Sequence, residues 1–320
     1  MSKKIEHSKE KTNLHPRNKH RERYNFEELI QFCPELAQFV ELNDYQDLSI
    51  DFFDPKAVKM LNKALLKCFY GIKNWDIPEN YLCPPIPSRA DYIHYIADVL
   101  GSKFENKIPT GEQIKCLDIG VGANCVYPLI GNSEYGWSFV ATDIDVIALE
   151  SANKIIESNP FLEDKIELVL QNNPKNIFYG IIQKDELIDL TICNPPFHSS
   201  VAQAQAESLR KLNHLKQQKN AKIVLNFGGK SSELCCQGGE QKFVRDMVWE
   251  SKQFWANCFW FSSLISKESS LKNIYEALEK AGAREVKTIQ MAQGNKVSRL
   301  VVWTFLSERQ QEKWINLRWK

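Results

Sequence analysis

The residues best placed to do chemistry are Asn194-Pro195-Pro196-Phe197, which follow directly on the apolar run Ile188–Cys193. Two consecutive prolines end a hydrogen-bonded ladder and stiffen the backbone. The Asn194 side-chain oxygen and the Pro195 carbonyl then form two acceptors on one rigid corner. Such a pair suits a planar amine: each oxygen takes one N–H, and the nitrogen lone pair is turned toward an electrophile. Asn provides its acceptor without adding a full charge, and the prolines bring no competing N–H. The Phe197 ring offers a face for a flat group to stack on. Catalysis of this kind is positioning plus fixed dipoles and calls for no metal. The corner does not choose the amine: adenine, cytosine and glutamine amide groups all fit, and a structural Pro-Pro kink is the bland alternative.

A second group is Asp118-Ile119-Gly120-Val121-Gly122-Ala123-Asn124, at the end of another apolar run. A glycine turn after a first strand brings backbone N–H groups close to a ligand. A dinucleotide fingerprint would place a third glycine at position 125, where this chain has Cys125, so a pyrophosphate is not expected. The shorter D-x-G-x-G pattern fits S-adenosylmethionine, which has no pyrophosphate. Asp143 ends the next apolar run and is placed to accept from both ribose hydroxyls. Arg89, just after the stiff run Cys83–Pro87, is a candidate fork for the methionine carboxylate. The candidate cofactor set from these residues is therefore Arg89, Asp118, Gly120, Gly122 and Asp143. The structural alternatives are a plain turn, a helix cap and a surface arginine.

These groups need elements to hold them. Strands are expected at Ile114–Ile119, Ser138–Asp143, Ile166–Leu170, Ile188–Cys193, Phe259–Ile265, Val286–Met291 and Leu300–Phe305. Helices are expected at Val146–Asn159, Phe243–Trp255 and Leu271–Ala281. Short apolar strands separated by helices imply parallel βαβ units. The last two strands are joined by a connection too short for a parallel crossover. The expected fold is α/β: a class I methyltransferase, Rossmann-like, with a seven-stranded, mostly parallel sheet, an antiparallel C-terminal hairpin and a mainly helical N-terminal extension. In that extension, Asp54-Pro55 opens one helix and Ser88 caps another. Three parts are expected: a basic flexible arm at 1–23, a helical RNA-contacting region at 24–105, and the methyltransferase domain at 106–320. Within the last, the polar span 198–221 reads as a lid or a disordered insert.

Charge is uneven. Residues 1–23 hold eight Lys/Arg against three Glu, on a chain whose net charge is only +1. That arm fits contact with a polyanion, with Arg17, Lys19, Arg21 and Arg23 as candidate RNA-binding residues, or else a solvated tail. The nine cysteines form no C-x-x-C pair, so neither a zinc site nor a disulfide framework is indicated and a reduced, cytoplasmic protein is expected. No apolar run is long enough to span a bilayer.

Taken together, several stretches resemble the bacterial large-subunit ribosomal RNA methyltransferase F family and, more distantly, the eukaryotic U6 snRNA adenine-N6 methyltransferases. They are His15-Pro16-Arg17-Asn18 with Arg23-Tyr24, Phe69 to Ile72 with Trp75 to Pro78, and Cys83-Pro84-Pro85 with Arg89 to Tyr92. Further on come Leu117 to Gly122, Asn194 to Phe197, Gly228-Gly229, Gly238 to Glu240, and Gln293-Gly294 with Arg299. The resemblance implies N6-methylation of a specific adenosine in 23S rRNA, free or in a large-subunit assembly particle. It also implies S-adenosylmethionine as donor with S-adenosylhomocysteine as product, cofactor contacts at Arg89, Gly120, Asn124, Asp143 and Asn194, and one more near Asn173–Asn176. No membrane partner is implied, and a monomer is expected. Alternative readings of the residues are a protein glutamine or DNA adenine methyltransferase, or an RNA-binding assembly module that has kept the fold without catalysis.

Overall fold

A computed structural model describes residues 11–198, 236–293 and 296–320. The expected insert at 198–221 and Gly228-Gly229 therefore lie, apart from His198, outside the described residues.

Seven strands form one sheet: β3 (Lys115–Ile119), β4 (Ser138–Asp143), β5 (Ile166–Leu170), β6 (Ile188–Cys193), β7 (Cys258–Ile265), β8 (Glu285–Gln293) and β9 (Lys296–Thr304). Their order is β5-β4-β3-β6-β7-β9-β8. All pairings are parallel except those of β9, which runs antiparallel to both β7 and β8. This is the arrangement expected from the spacing of the apolar runs. The order reverses between β3 and β6, where crossovers leave in opposite directions and a crevice opens at the carboxyl ends of the strands. The final hairpin is longer than its apolar residues suggested, because the edge strand β8 alternates half-buried and open positions from Glu285 to Gln290 and its pairing with β9 continues to Gln293.

The N-terminal part contains α1 (Phe26–Phe32), a small hairpin of β1 (Val40–Leu42) and β2 (Leu48–Ile50), α2 (Pro55–Tyr70) and α3 (Ile86–Gly101). In α2, the Asp54 side chain accepts from the Lys56 N–H at 2.8 Å, Pro55 takes the first helical position, and Gly71 ends the helix at φ +69°. Helix α3 starts at Ile86, so Ser88 is not its cap; the Ser88 hydroxyl instead donates to the Pro85 carbonyl at 3.1 Å.

Helix α3 is buried over most of its surface, polar residues included: Arg89, Asp91 and His94 are 8, 1 and 0% exposed. A helix so buried must find partners for such groups. They come from the N-terminal segment, and this corrects the flexible-arm expectation for residues 11–23. Leu14, His15, Asn18 and His20 are buried. The His15 N–H and the Asn18 side-chain amide both donate to Asp91, and Arg17 donates to Asp98, to the His94 carbonyl and to the Tyr135 hydroxyl. Nor is there a break near residue 105, because α2, α3 and the sheet share one apolar core. The remaining helices are α4 (Val126–Tyr135), α5 (Val146–Glu157), α6 (Gly239–Ser251), α7 (Leu271–Ala281) and α8 (Glu308–Arg318).

Candidate active site

A cleft opens where β3, β4 and β6 end. Its walls include Arg89, Gly120, Gly122, Asn124, Asp143, Asn194, Pro195 and Pro196, eight of the residues singled out from sequence. Asp118 and Phe197 are not among them. Asp118 lies behind the glycine turn, 1% exposed, with neither carboxylate oxygen partnered. Burial, and then the charge of Asp143, push its carboxyl well above the usual range, against the pull of Arg89. Phe197 is half-buried against the main core, so the aromatic walls of the cleft are Tyr127 and Phe243.

The glycine turn works differently from the expectation. The N–H groups of Gly120 and Val121 are spent on the Thr142 carbonyl at 2.9 and 2.8 Å, and that of Gly122 on Asp143 at 2.9 Å. What the glycines give is shape. Gly120 has φ +76°, and a Cβ there would meet open space on the cleft side instead of protein. Cys125, at φ +53°, takes the left-handed position that a third glycine would have filled, and α4 begins after it. Asp143 does not cap the next helix. That role belongs to Asp145, whose side chain accepts from the Ile147 N–H at 2.9 Å. Asp143 is held by the N–H groups of Gly122 and Asp145, both at 2.9 Å, and burial still raises its pKa.

Arg89 points its guanidinium at the Tyr127 ring, 5.5 Å from the centroid. Among the described residues no carboxylate forms an ion pair with it. Across the cleft, Asn194 Oδ1 is buried and has no hydrogen-bond partner among the described residues. A buried unpaired acceptor is costly, on the order of 1–3 kcal/mol, unless a ligand meets it. An open cradle beside Gly120, a carboxylate at the end of β4, an arginine without an acidic partner and a waiting amide oxygen suit a ligand with hydroxyl, carboxylate and amine groups.

Sequence reasoning missed Leu82, Tyr127, Gln171, Ile177, Cys236 and Phe243 in the cleft walls. It reached the neighbourhood of Pro174 and Asn176, which do line it. It also missed the supports of the glycine turn. The Trp75 indole N–H donates to the Asn124 carbonyl at 2.9 Å, and the Tyr81 hydroxyl donates to Asp145 at 2.9 Å. Cys236 marks a closure: its N–H donates to the His198 carbonyl at 3.0 Å, so the two ends of the segment 199–235 meet at the cleft. The four basic candidates lie in the N-terminal seam and all have internal partners. Arg17 pairs with Asp98, Lys19 with Glu134, Arg23 with Asp47, and Arg21 donates to the Leu14 carbonyl. Among the described residues no cluster of His, Cys, Asp or Glu is arranged to hold a metal ion, and no helix is long and apolar enough to cross a membrane.

Sheet order, glycine turn and proline corner define a class I methyltransferase. A family model described as RNA methyltransferase matches residues 8–307, and the chain belongs to that family. It is 58% identical to the ribosomal RNA large subunit methyltransferase F of Cytophaga hutchinsonii over 317 residues, 99% of this chain and 98% of that one. It is 56% identical to the protein of the same name in Yersinia enterocolitica, over 97% of this chain and 93% of that one. Among solved structures, the human Mettl16 catalytic domain in complex with a MAT2A 3′UTR hairpin superposes with a TM-score of 0.78 at 29% identity, covering 92% of this chain and 96% of that one. The N-terminal domain of human METTL16 in complex with SAH gives 0.72 at 28% identity, covering 92% and 99%.

Proposed function

We propose that this chain methylates the exocyclic N6 amine of an unpaired adenosine in 23S rRNA, acting as a cytoplasmic monomer on free RNA or on a large-subunit assembly particle. The observation that carries this reading is the buried, unpartnered Asn194 oxygen on a proline corner, in one cleft with Arg89, Gly120 and Asp143. The residues fit S-adenosylmethionine: Asp143 accepts ribose hydroxyls, Arg89 takes the carboxylate, Gly120, Gly122 and Asn124 shape the floor, and Asp118 supports the turn from behind. When bound, that cofactor supplies a cationic sulfonium with a transferable methyl group.

The chain's part is positioning. Asn194 Oδ1 and the Pro195 carbonyl each accept one amine hydrogen, which aims the nitrogen lone pair and stabilises the charge that grows on nitrogen. Pro196 fixes the corner, Phe243 gives the base a flat wall, and Phe197 anchors the corner to the core. An adenosine reaches such a corner only when unpaired or flipped from its stack.

The RNA face we assign is narrower than residues 24–105, because residues 24–54 hold eight Asp/Glu and no Lys or Arg. Two cationic stretches remain. Arg17, Lys19 and Arg23 keep 40, 41 and 49% of their side-chain surface open beside their internal partners, with Arg21 next to them. Lys56, Lys59, Lys63 and Lys67 recur along α2. Phosphate contact there predicts binding that weakens steeply with salt.

The test is transfer of labelled methyl from S-adenosylmethionine to rRNA, followed by nuclease digestion and nucleoside analysis. Label in N6-methyladenosine that is lost in Asn194→Ala, while S-adenosylhomocysteine still binds, is the expected result. Label appearing only in protein or DNA would overturn the substrate assignment. Full activity in Asn194→Ala would overturn the mechanism.

A further inference from the structure

The β6–β7 ladder stops short. Its register pairs Ile188 with Cys258 and Leu190 with Trp260, and the next rung would join Ile192 to Ser262. Side-chain hydroxyls replace that rung. The Ser262 N–H donates to Thr191 Oγ1 at 3.0 Å, and the Ser262 hydroxyl donates to the Thr191 carbonyl. A third hydroxyl enters from another element: Tyr92 Oη, on α3, lies 3.0 Å from Ser262 Oγ and accepts the Cys193 N–H at 3.2 Å. Thr191, Cys193, Ser262 and Tyr92 are all 0% exposed.

Proton counting fixes the direction of this chain. A serine hydroxyl has one hydrogen, which the Thr191 carbonyl takes, so between the two hydroxyls Tyr92 is the donor, and the Cys193 carbonyl at 3.3 Å is its second acceptor. The Tyr92 oxygen then has lone pairs for the Cys193 N–H. The network runs from the Cys193 N–H to Tyr92, from the Tyr92 hydroxyl to Ser262 Oγ and the Cys193 carbonyl, and from the Ser262 hydroxyl to the Thr191 carbonyl. It starts and ends on β6, in the three residues before Asn194.

We infer that Tyr92, relayed through Ser262 and Thr191, is the positioning residue that sets the angle of the Asn194 corner. This rests on the amine-methylating reading of that corner. Tyr92 touches neither cofactor nor base; it acts through the Cys193 peptide. Arg89 sits one helical turn earlier on the same helix, and the Tyr92 ring packs edge-on against Tyr127, 5.2 Å between centroids. One helix therefore carries both the proposed carboxylate fork and the brace of the acceptor corner. Two hydrogen-bond acceptors on an amine need alignment to a fraction of an ångström, and a strand end freed from its ladder would not hold it.

The experiment compares Tyr92→Phe, Ser262→Ala and Ser262→Thr with the wild type, using methyl transfer to rRNA, calorimetry with S-adenosylhomocysteine and amide hydrogen exchange at Cys193. Tyr92→Phe keeps the ring and removes only the oxygen. Its kcat is expected to fall roughly 10- to 100-fold, with KM for the cofactor and S-adenosylhomocysteine affinity changed by less than about threefold. Exchange at Cys193 speeds up at least tenfold. Ser262→Ala behaves in the same direction, and Ser262→Thr, which keeps a hydroxyl, recovers most of the loss. Wild-type kcat in Tyr92→Phe overturns the inference. So does a fall in kcat matched by an equal fall in cofactor affinity, which marks general loosening of the fold. If Tyr92→Phe does not fold, the split between Ser262→Ala and Ser262→Thr decides. If the wild type itself modifies no RNA, the functional reading fails separately; the exchange rate at Cys193 then still decides whether Tyr92 holds that peptide.

Discussion

Asp189 and Asp118 sit on adjacent strands, 0 and 1% exposed, yet their surroundings are opposite. Asp189, near the start of β6, accepts from the Trp314 and Trp319 indoles at 2.7 and 2.8 Å, from the Lys115 N–H at 2.8 Å and from Arg318 at 2.6 Å. Asp118, near the end of β3, accepts from nothing among the described residues. Helix α8 thus closes the amino edge of the sheet with the chain's own donors. At the carboxyl edge Asp118, Tyr127 Oη and Asn194 Oδ1 stay open. Two other unpartnered buried atoms, His94 Nε2 and Trp260 Nε1, lie away from the cleft walls, so an orphan atom marks a ligand site only where a cleft adjoins it. The same sheet therefore devotes one edge to stability and keeps the other for binding.

Breaking the closed edge should give the largest effect. Arg318→Ala leaves Asp189 as a buried carboxylate without its cation, and removing one partner of a buried pair costs about 3–5 kcal/mol. Urea denaturation should show that loss, while affinity for S-adenosylhomocysteine at low temperature stays within twofold. Unchanged stability would erase the contrast between the edges. At the open edge, Asn194→Ala should do the reverse: kcat for methyl transfer drops about 100- to 1000-fold, and the melting temperature holds or rises because an unsatisfied acceptor is gone. A smaller effect tests the support between the edges. Trp75→Phe removes the donor to the Asn124 carbonyl, so the glycine turn loosens and S-adenosylhomocysteine should bind about fivefold more weakly, or about 1 kcal/mol. Its kcat at saturating cofactor should persist, the opposite split from Tyr92→Phe.

The two edges also differ in how legible they were. The expected spans at Ser138–Asp143, Ile166–Leu170 and Ile188–Cys193 coincide with β4, β5 and β6, because each is a short, mainly apolar run with a helix or turn on either side. Gly120, Asp143 and Asn194 were legible because each sits at a fixed offset from a strand end. Trp75, Tyr92 and Phe243 were not, since nothing local marks a side chain whose partner lies 49 or more residues away, as for Trp75 and Asn124. Residues 11–23 misled for the same reason. Their lysines and arginines read as a solvated arm, and only the distant Asp91, Asp98 and Tyr135 reveal that His15 and Asn18 are internal and that Arg17 is tied down.

Acid titration sharpens the comparison with the smallest effect near neutrality. His20 and His94 lie in the N-terminal seam, each 0% exposed. Burial, helped by the nearby charges of Lys11 and His15 respectively, lowers both from 6.5 to about 3. The unfolded chain takes up these protons near pH 6.5, and the folded chain does so only near pH 3. Stability from the seam is therefore complete above pH 6.5 and is lost as pH falls toward 3, by up to ~1.4 kcal/mol per pH unit for each histidine. Between pH 7 and 6 the two together should cost about 1 kcal/mol in urea denaturation, and His20→Gln should remove about half of it. The cleft pulls the other way. Asp118 and Asp143 have raised pKa values, so the folded chain holds their protons more tightly than the unfolded chain, and falling pH adds stability there. For Asp118, held well above the usual range, that gain begins above the ordinary carboxylate pH and opposes the histidine loss, so the difference between wild type and His20→Gln isolates the seam. A pH dependence from 7 to 6 that His20→Gln left unchanged would mean that the seam admits charge and water, and residues 11–23 would then be the loose arm their composition suggests.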